Sequence, residues 1–212
     1  MARLNPGEPH KTQKIKFNTT RRTMILADEL GWTYEDLVCF NLVRGRTPDD
    51  VLRLYEADSS QARTMTREQA DEEFDSPPDI GSVLRVGLAG SWSFCLEIAW
   101  EPEGFDTGLL KRLSAGTDAI HYFRNPKGGV FVKHLRDGEI LEHFDLGLPE
   151  PIPGKDAPLS LAEDFRRRAS ARPYGDDGFD EIWAVLSHLT GVPLDDDLIN
   201  GPLPTVLRNP YA

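Results

Sequence analysis

Four carboxylates at the end of the most regularly alternating stretch of the chain, or just after it, are the first candidates for chemistry: Glu97, Glu101, Glu103 and Asp106. Two carboxyl groups can act as general acid and general base when one of them is removed from water. Glu97 is the most interesting of the four, because it shares one face of a predicted strand with Cys95 and Ala99. The simpler interpretation, which we favour, places its charge on the solvated side of a half-exposed sheet.

Three histidines lie in predicted strands and could bind a metal ion: His121, His134 and His143. A two-residue turn at Asp137-Gly138 would place His134 opposite Leu141 and make His143 its diagonal neighbour on the same face. Two histidines without a closely spaced third ligand are weak evidence for a metal site. We therefore expect ordinary histidines, no metal and no cofactor.

The common catalytic signatures are absent from the sequence, which contains no G-x-G-x-x-G, G-x-x-x-x-G-K-[ST], H-E-x-x-H or G-x-S-x-G pattern. Each of these patterns binds phosphate, holds zinc or exposes a nucleophile. We therefore assign no catalytic residue. An enzyme of an unrecognised class would use a polar site in a cleft between the sheet and the C-terminal helices, built from Glu97, His121, His134 and His143.

A second kind of site is indicated by Tyr122 and Arg124, which alternate along a predicted strand over residues 119–124. If the strand face opposite the helices leaves them exposed, they have the Tyr/Arg composition typical of a protein-binding patch. These two residues are the predicted partner-binding site.

The stretch from Val83 to Asp145 must position all of these side chains. Large apolar residues occupy every second position from Trp92 to Ile98, with small or polar residues between them, which is typical of a β-strand. This alternation also predicts that Trp92 and Phe94 are far more sensitive to substitution than Ser93. The pattern predicts an α+β fold with an antiparallel sheet of about five strands and helices before, within and after it.

The last two predicted strands form a hairpin around Asp137-Gly138, a strong two-residue turn signal. This turn would pair Arg136 with Glu139 and Lys133 with Glu142. Each opposite-charge pair across a ladder is worth about 0.2–1 kcal/mol. The agreement between turn and charge pattern supports the hairpin.

Helices are predicted on both sides of the sheet region. Thr33 is an N-cap candidate for a helix that runs to about Val43, and Thr47-Pro48 followed by two aspartates starts the next one. The end of the chain, residues 201–212, has no regular pattern. Further helices are predicted over residues 66–74, 160–171 and 179–190.

The composition predicts one main domain with flanking segments. Cys39 and Cys95 lie in apolar surroundings, which favours buried free thiols in a reducing cytoplasm. No apolar run is long enough to span a membrane, and the N-terminus does not resemble a signal peptide. The expected organisation is a basic flexible arm (1–22), an α+β core domain (23–146), a Pro-rich linker (147–159) and C-terminal helices packing on the core (160–212).

The net charge of −11 is unevenly distributed along the 212 residues. Residues 1–27 hold six basic residues and one acidic residue, so the rest of the chain carries −16. An acidic body disfavours nucleic acid as a partner, except through the N-terminal arm, which is either an RNA contact or a solvated tail. The acidic body favours a basic partner, although such a surface can also serve solubility alone.

Four segments in a fixed order, LVRGRTPDDVLRLYEAD, GSWSFCLEI, LKRLSAGTDAIHYFRN and DGEILEHFD, resemble an uncharacterised domain-of-unknown-function family found widely in actinomycetes. The resemblance covers roughly Phe40 to Asp145 and depends on the order of the segments. It implies a soluble bacterial protein and brings no established activity, so no catalytic residue is carried over.

The leading hypothesis is a soluble, non-enzymatic interaction protein of the cytoplasm that binds a macromolecular partner, in the manner of small acidic immunity or antitoxin proteins. The partner would be a basic protein. The alternatives are an enzyme of an unrecognised class and a nucleic-acid-associated protein that uses the basic arm. A pocket lined by converging polar groups would favour the enzyme, and a flat acidic or aromatic face would favour the interaction protein.

Overall fold

One antiparallel sheet runs through the described part of the chain. The computed structural model describes residues 30, 37–74, 81–127, 129–146, 160–170 and 178–209. The strands in these ranges are β1 (Val38–Arg44), β2 (Arg63–Met65), β3 (Ser82–Ala89), β4 (Trp92–Ile98), β5 (Asp118–Arg124), β6 (Val130–Arg136), β7 (Glu139–Asp145) and β8 (Leu203–Arg208). They pair in the order β2-β8-β3-β4-β1-β5-β6-β7. The predicted α+β class is confirmed, and the prediction of about five strands is wrong because the sheet has eight.

Helices flank and interrupt the strands, as the sequence predicts. None of the helices in the described ranges is both long and apolar enough to cross a membrane. Two short 3₁₀ turns, Ser59–Gln61 and Glu103–Phe105, complete the regular structure of these ranges. The helices are α1 (Pro48–Leu54), α2 (Arg67–Phe74), α3 (Thr107–Leu113), α4 (Leu161–Ala169), α5 (Phe179–Thr190) and α6 (Asp196–Ile199).

The two sides of the sheet are covered by different helices. One side, here called the α5 face, packs against α4 and α5, and Phe40 and Tyr122 contact Trp183 with ring centroids 5.0 and 5.6 Å apart. The other side, here called the α1 face, packs against α1 and α3 through side chains such as Val51 and Leu109. Because both sides are covered, the central strands have no face in contact with water.

Strand β1 lies in the middle of the sheet, between β4 and β5, where a helix ending at about Val43 was predicted. Residues Val38 to Val43 are all buried, on alternate faces. A strand buried on both faces reads as a continuous apolar run, which periodicity cannot distinguish from a buried helix. The helix prediction is therefore wrong over residues 38–43.

The other strands that the sequence did not reveal are β2 and β8, at one edge of the sheet. Segment 201–212 had no regular pattern, yet Leu203–Arg208 pairs with both β2 and β3. Pro204 lies opposite Thr64 of β2 and beyond the residues that pair with β3. A proline lacks the N–H group that a second neighbouring strand would require. It is tolerated at this position because β3 does not pair with it.

The predicted hairpin at Asp137-Gly138 is present, and Arg136 pairs with Glu139 as expected. A β-bulge between Leu135 and His134 shifts the register of the remaining pairs. As a result, His134 lies opposite Glu142, and Lys133 lies opposite His143. The predicted pairs of Lys133 with Glu142 and of His134 with Leu141 are therefore wrong. One extra residue on the bulged strand reverses the side to which every later residue points.

The predicted division of the chain into segments stays a prediction. The basic arm (1–22) and the Pro-rich linker (147–159) lie outside the described residues. Within the described residues, Phe165 of α4 and Trp183 of α5 belong to the same apolar cluster as the sheet residues of the α5 face. The C-terminal helices therefore share one core with the sheet.

Candidate functional site

Glu97 on β4 holds the 3₁₀ turn Glu103–Phe105 against the α1 face. Its Oε1 accepts the Ser82 hydroxyl at 2.6 Å and the Glu103 N–H at 2.7 Å, and its Oε2 accepts the Gly104 N–H at 2.6 Å. Glu97 is 0% exposed. The interpretation of Glu97 as a solvated charge is therefore wrong, because the small and polar positions of β4 face a second layer of helices instead of water.

The surroundings of Glu97 suit an anchor for the turn. Burial raises the pKa of the Glu97 carboxyl, and the three hydrogen bonds oppose that shift. The Cys39 sulfur lies 3.7 Å from Oε2. Cys39 and Cys95 are free and buried, and burial raises the pKa of both thiols well above the usual value. Such thiols stay protonated and unreactive at neutral pH.

Gly104 is the position where the turn comes closest to the sheet. A Cβ atom at Gly104 would lie 2.6 Å from Asn41 Nδ2 and Cys39 Sγ and 2.7 Å from Tyr55 Oη. We expect Gly104→Ala to lower the free energy of unfolding by about 1–3 kcal/mol, because the turn or the buried groups must shift. Urea unfolding measures the change.

Glu101→Ala is the control, because Glu101 is exposed in the loop just before the turn. We expect this variant to be close to neutral. Equal stability of the two variants would contradict a turn that is fixed by close packing.

A hydrogen-bonded chain runs from α1 to β5 beneath the turn. Asn41 Nδ2 donates to Tyr55 Oη at 2.7 Å, so Asn41 Oδ1 is the acceptor that faces His121 Nδ1 at 3.0 Å. His121 Nδ1 therefore carries the proton, and Nε2 keeps a free lone pair. The residue is 0% exposed, and burial lowers the pKa of the imidazole to about 3. His121 is thus neutral at physiological pH.

Lys133 on β6 lies between two histidines. Its cross-strand partners are His121 on β5 and His143 on β7. Its Nζ lies 4.4 Å from the ring centroid of Phe105, at the end of the turn, and the residue is only 8% exposed. Burial lowers the pKa of the Lys133 ammonium group. The α1 face therefore carries a largely buried lysine side chain beside a neutral imidazole.

A second polar cluster lies on the α5 face. Asp118 Oδ1 accepts hydrogen bonds from His134 Nε2 at 2.9 Å and Arg136 Nε at 2.8 Å. Burial opposes the shift, but the hydrogen bonds from Arg136 and His134 hold the pKa of Asp118 below its usual value. Glu142, opposite His134, accepts the Leu161 N–H at 2.9 Å. These contacts connect β5, β6 and β7 to the first turn of α4.

The four residues of the alternative polar site do not come together in the predicted cleft. Glu97, His121 and His143 lie on the α1 face, and His134 lies on the α5 face, against which the C-terminal helices pack. The bulge in the last hairpin separates His143 from His134. Among the described residues, no group of three or more His, Cys, Asp or Glu is arranged to hold a metal ion.

Tyr122 and Arg124, the predicted partner-binding residues, are 0% and 4% exposed. Both lie on the α5 face, where Tyr122 contacts Trp183 and the Arg124 guanidinium lies 5.6 Å from the ring centroid of Phe179. The predicted exposure of these residues is wrong, because α5 covers the side of β5 on which they lie.

The sequence did not reveal Asn41, Tyr55 or Lys133 as members of the polar cluster. Asn41 was placed in a predicted helix, and Tyr55 is an aromatic residue that directly follows α1. Lys133 was expected to pair with Glu142 across the hairpin. Charge and alternation alone gave no signal that these side chains point at one another.

An open groove runs along one side of α5, from Asp180 to the segment 191–195 that follows the helix. Its volume is about 510 Å³, and its floor is mainly apolar, formed by residues such as Ala184, Val192 and Pro193. Asp180 and Asp195 lie at its margin. The surrounding segment, residues 178–202, contains five carboxylates and neither lysine nor arginine.

Comparisons with known proteins concern the chain as a whole. No curated protein and no solved structure matches it. A family model described as a family of unknown function (DUF6461) matches residues 26–201, which include both polar clusters and the groove on α5. The predicted resemblance to a family of unknown function is confirmed at that level. The chain therefore belongs to DUF6461, a family of unknown function.

Proposed function

We propose that this protein is a non-enzymatic interaction protein that binds a basic protein partner through the groove on α5. The observation that carries the proposal is an apolar floor bordered by carboxylates, in a segment (178–202) with no lysine or arginine. An amphipathic segment with apolar and basic side chains is complementary to such a groove. Small acidic immunity and antitoxin proteins use the same electrostatic principle.

The rest of the molecule supports this reading. The carboxylate with the strongest catalytic potential, Glu97, is engaged by three hydrogen-bond donors and holds a turn in place. The groove on α5, in contrast, is open and lies on the surface. The acidic body, which carries −16 outside residues 1–27, would attract a basic partner over a distance.

The first experiment is affinity capture from the native cell followed by association kinetics with the captured protein. We expect a basic protein whose association rate falls as salt rises, because the Debye length shrinks from ~10 Å at 0.1 M to ~3 Å at 1 M. Capture of nucleic acid alone, or association that does not depend on salt, would contradict the proposal.

Two matched pairs of variants test the groove itself. Ala184→Phe fills the groove floor and is expected to weaken binding at least tenfold, about 1.4 kcal/mol, whereas Ala115→Phe, at an exposed position on another part of the surface, should not. Asp197→Lys, two residues beyond the groove residue Asp195, should slow association more than Asp49→Lys, which changes an exposed aspartate in the first turn of α1. Equal effects within either pair would place the interface elsewhere.

A further inference from the structure

A row of polar side chains crosses the α1 face from the centre of the sheet to its edge. Asn41 on β1 pairs with His121 on β5, which pairs with Lys133 on β6, which pairs with His143 on the edge strand β7. Directly opposite residues of neighbouring strands have Cβ atoms about 4.5–5.5 Å apart. The four side chains are therefore immediate neighbours, although the four residues lie far apart in the sequence.

His121 contributes an unsatisfied acceptor to this row. Its Nδ1–H is engaged by Asn41 Oδ1, whereas its Nε2 is buried and has no hydrogen-bond partner among the residues that the structure describes. A buried polar atom without a partner destabilises the folded state. A ligand that donates a hydrogen bond to Nε2 would satisfy its lone pair.

Lys133 contributes an unneutralised cation. Its ammonium group contacts the face of the Phe105 ring, and no ion pair joins it to a carboxylate of the described chain. The titratable groups that face it across the row are His121, which is neutral, and His143, and the neighbouring row holds the Cys39 thiol and the Asp145 carboxylate. An ammonium group at the end of a largely buried side chain is a favourable contact for an anion.

We propose that the row of Asn41, His121, Lys133 and His143 binds a small oxyanion that carries a hydroxyl group, such as a 2-hydroxycarboxylate or hydrogen phosphate. The ionised oxygen accepts from Lys133, and the hydroxyl donates to His121 Nε2. Phe105, 41% exposed at the end of the anchored turn, covers the ammonium group and forms the outer wall of the site. This site is independent of the groove on α5.

The direct test is NMR of the ring nitrogens in the full chain labelled with ¹⁵N-histidine. Glycolate and acetate are titrated at constant ionic strength, because the two carboxylates differ by the hydroxyl group. We expect the His121 Nε2 resonance to move saturably towards a hydrogen-bonded position with glycolate, and much less with acetate. The exposed His188 reports non-specific effects and should not move. No saturable shift at His121 with either glycolate or hydrogen phosphate, or equal binding of each of these anions and its counterpart without the hydroxyl group, overturns the proposal.

Hydrogen phosphate and sulfate form a second pair with the same logic. At a pH where phosphate keeps one proton, hydrogen phosphate can donate to His121 Nε2 and sulfate cannot. We expect hydrogen phosphate to bind more tightly. If phosphate binds and glycolate does not, the ligand is a phosphate group, and the opposite result identifies a hydroxycarboxylate.

Lys133→Met removes the charge and keeps an apolar stem of similar length. We expect it to weaken glycolate binding at least tenfold, whereas Lys127→Met, at an exposed loop position, should not change it. His121→Phe should abolish the preference for glycolate over acetate while the melting temperature shows that the variant is folded. Full binding by Lys133→Met, or a preserved preference in folded His121→Phe, contradicts the assigned roles.

Discussion

Replacing Phe94 with alanine is expected to lower the free energy of unfolding by about 3–5 kcal/mol, the usual effect of truncating a buried aromatic residue. Phe94 is 0% exposed and stacks on Phe40 with ring centroids 5.6 Å apart. Its ring occupies the space beside Gly87, where a Cβ atom would lie 2.5 Å from Phe94 Cζ. Gly87 has no side chain that could move into the cavity, so repacking from this side cannot offset the loss.

Urea unfolding checks this prediction through the midpoint and the slope of the transition. A loss of this size is a large share of the about 5–15 kcal/mol that stabilises a typical domain. Leu88→Ala is the matched control, because Leu88 lies on the same hairpin and is 57% exposed. We expect the control to change the free energy of unfolding by less than about 0.5 kcal/mol. Similar losses in the two variants would mean that Phe94 is not part of the core.

The alternation from Trp92 to Ile98 predicted the correct phase of β4, since Trp92 is 2% and Phe94 0% exposed. It did not predict the other side of the strand. Ser93 was expected to tolerate substitution, yet it is 0% exposed and its Oγ donates to the Arg46 carbonyl at 2.5 Å. Alternation shows which residues share a face, but it does not show whether the second face is covered by helices.

The candidate polar site was only partly predictable for the same reason. Glu97 and His121 were named from their residue types, whereas Asn41, the hydrogen-bond partner of His121, lies on β1, whose mostly apolar sequence was predicted as a helix. Lys133 and His143 became neighbours through a β-bulge that no short motif encodes. The site therefore depends on strand order and register, which are properties of the assembled sheet.

The stability of the protein is expected to fall steeply on mild acidification because of His121. Burial lowers the pKa of His121 from its ordinary value of 6.5 to about 3. Below pH 6.5 the unfolded chain binds a proton at this residue and the folded chain does not, so acid favours unfolding. The loss from this group is about 1.4 kcal/mol per pH unit. Between pH 6.5 and 5 it amounts to roughly 2 kcal/mol.

The difference in unfolding free energy between the wild-type chain and His121→Gln isolates this contribution. The glutamine amide can still donate to Asn41 Oδ1 but does not titrate. Other acid-linked groups, such as Asp118 with its lowered pKa and Glu97 with its raised pKa, are present in both chains and cancel. We expect the advantage of the wild type over the variant to shrink by roughly 2 kcal/mol from pH 6.5 to 5. His188→Gln, at an exposed position, should show no such trend. A pH-independent difference for His121→Gln would mean that the imidazole accepts a proton in the folded protein, and the neutral acceptor beside Lys133 would then be ruled out.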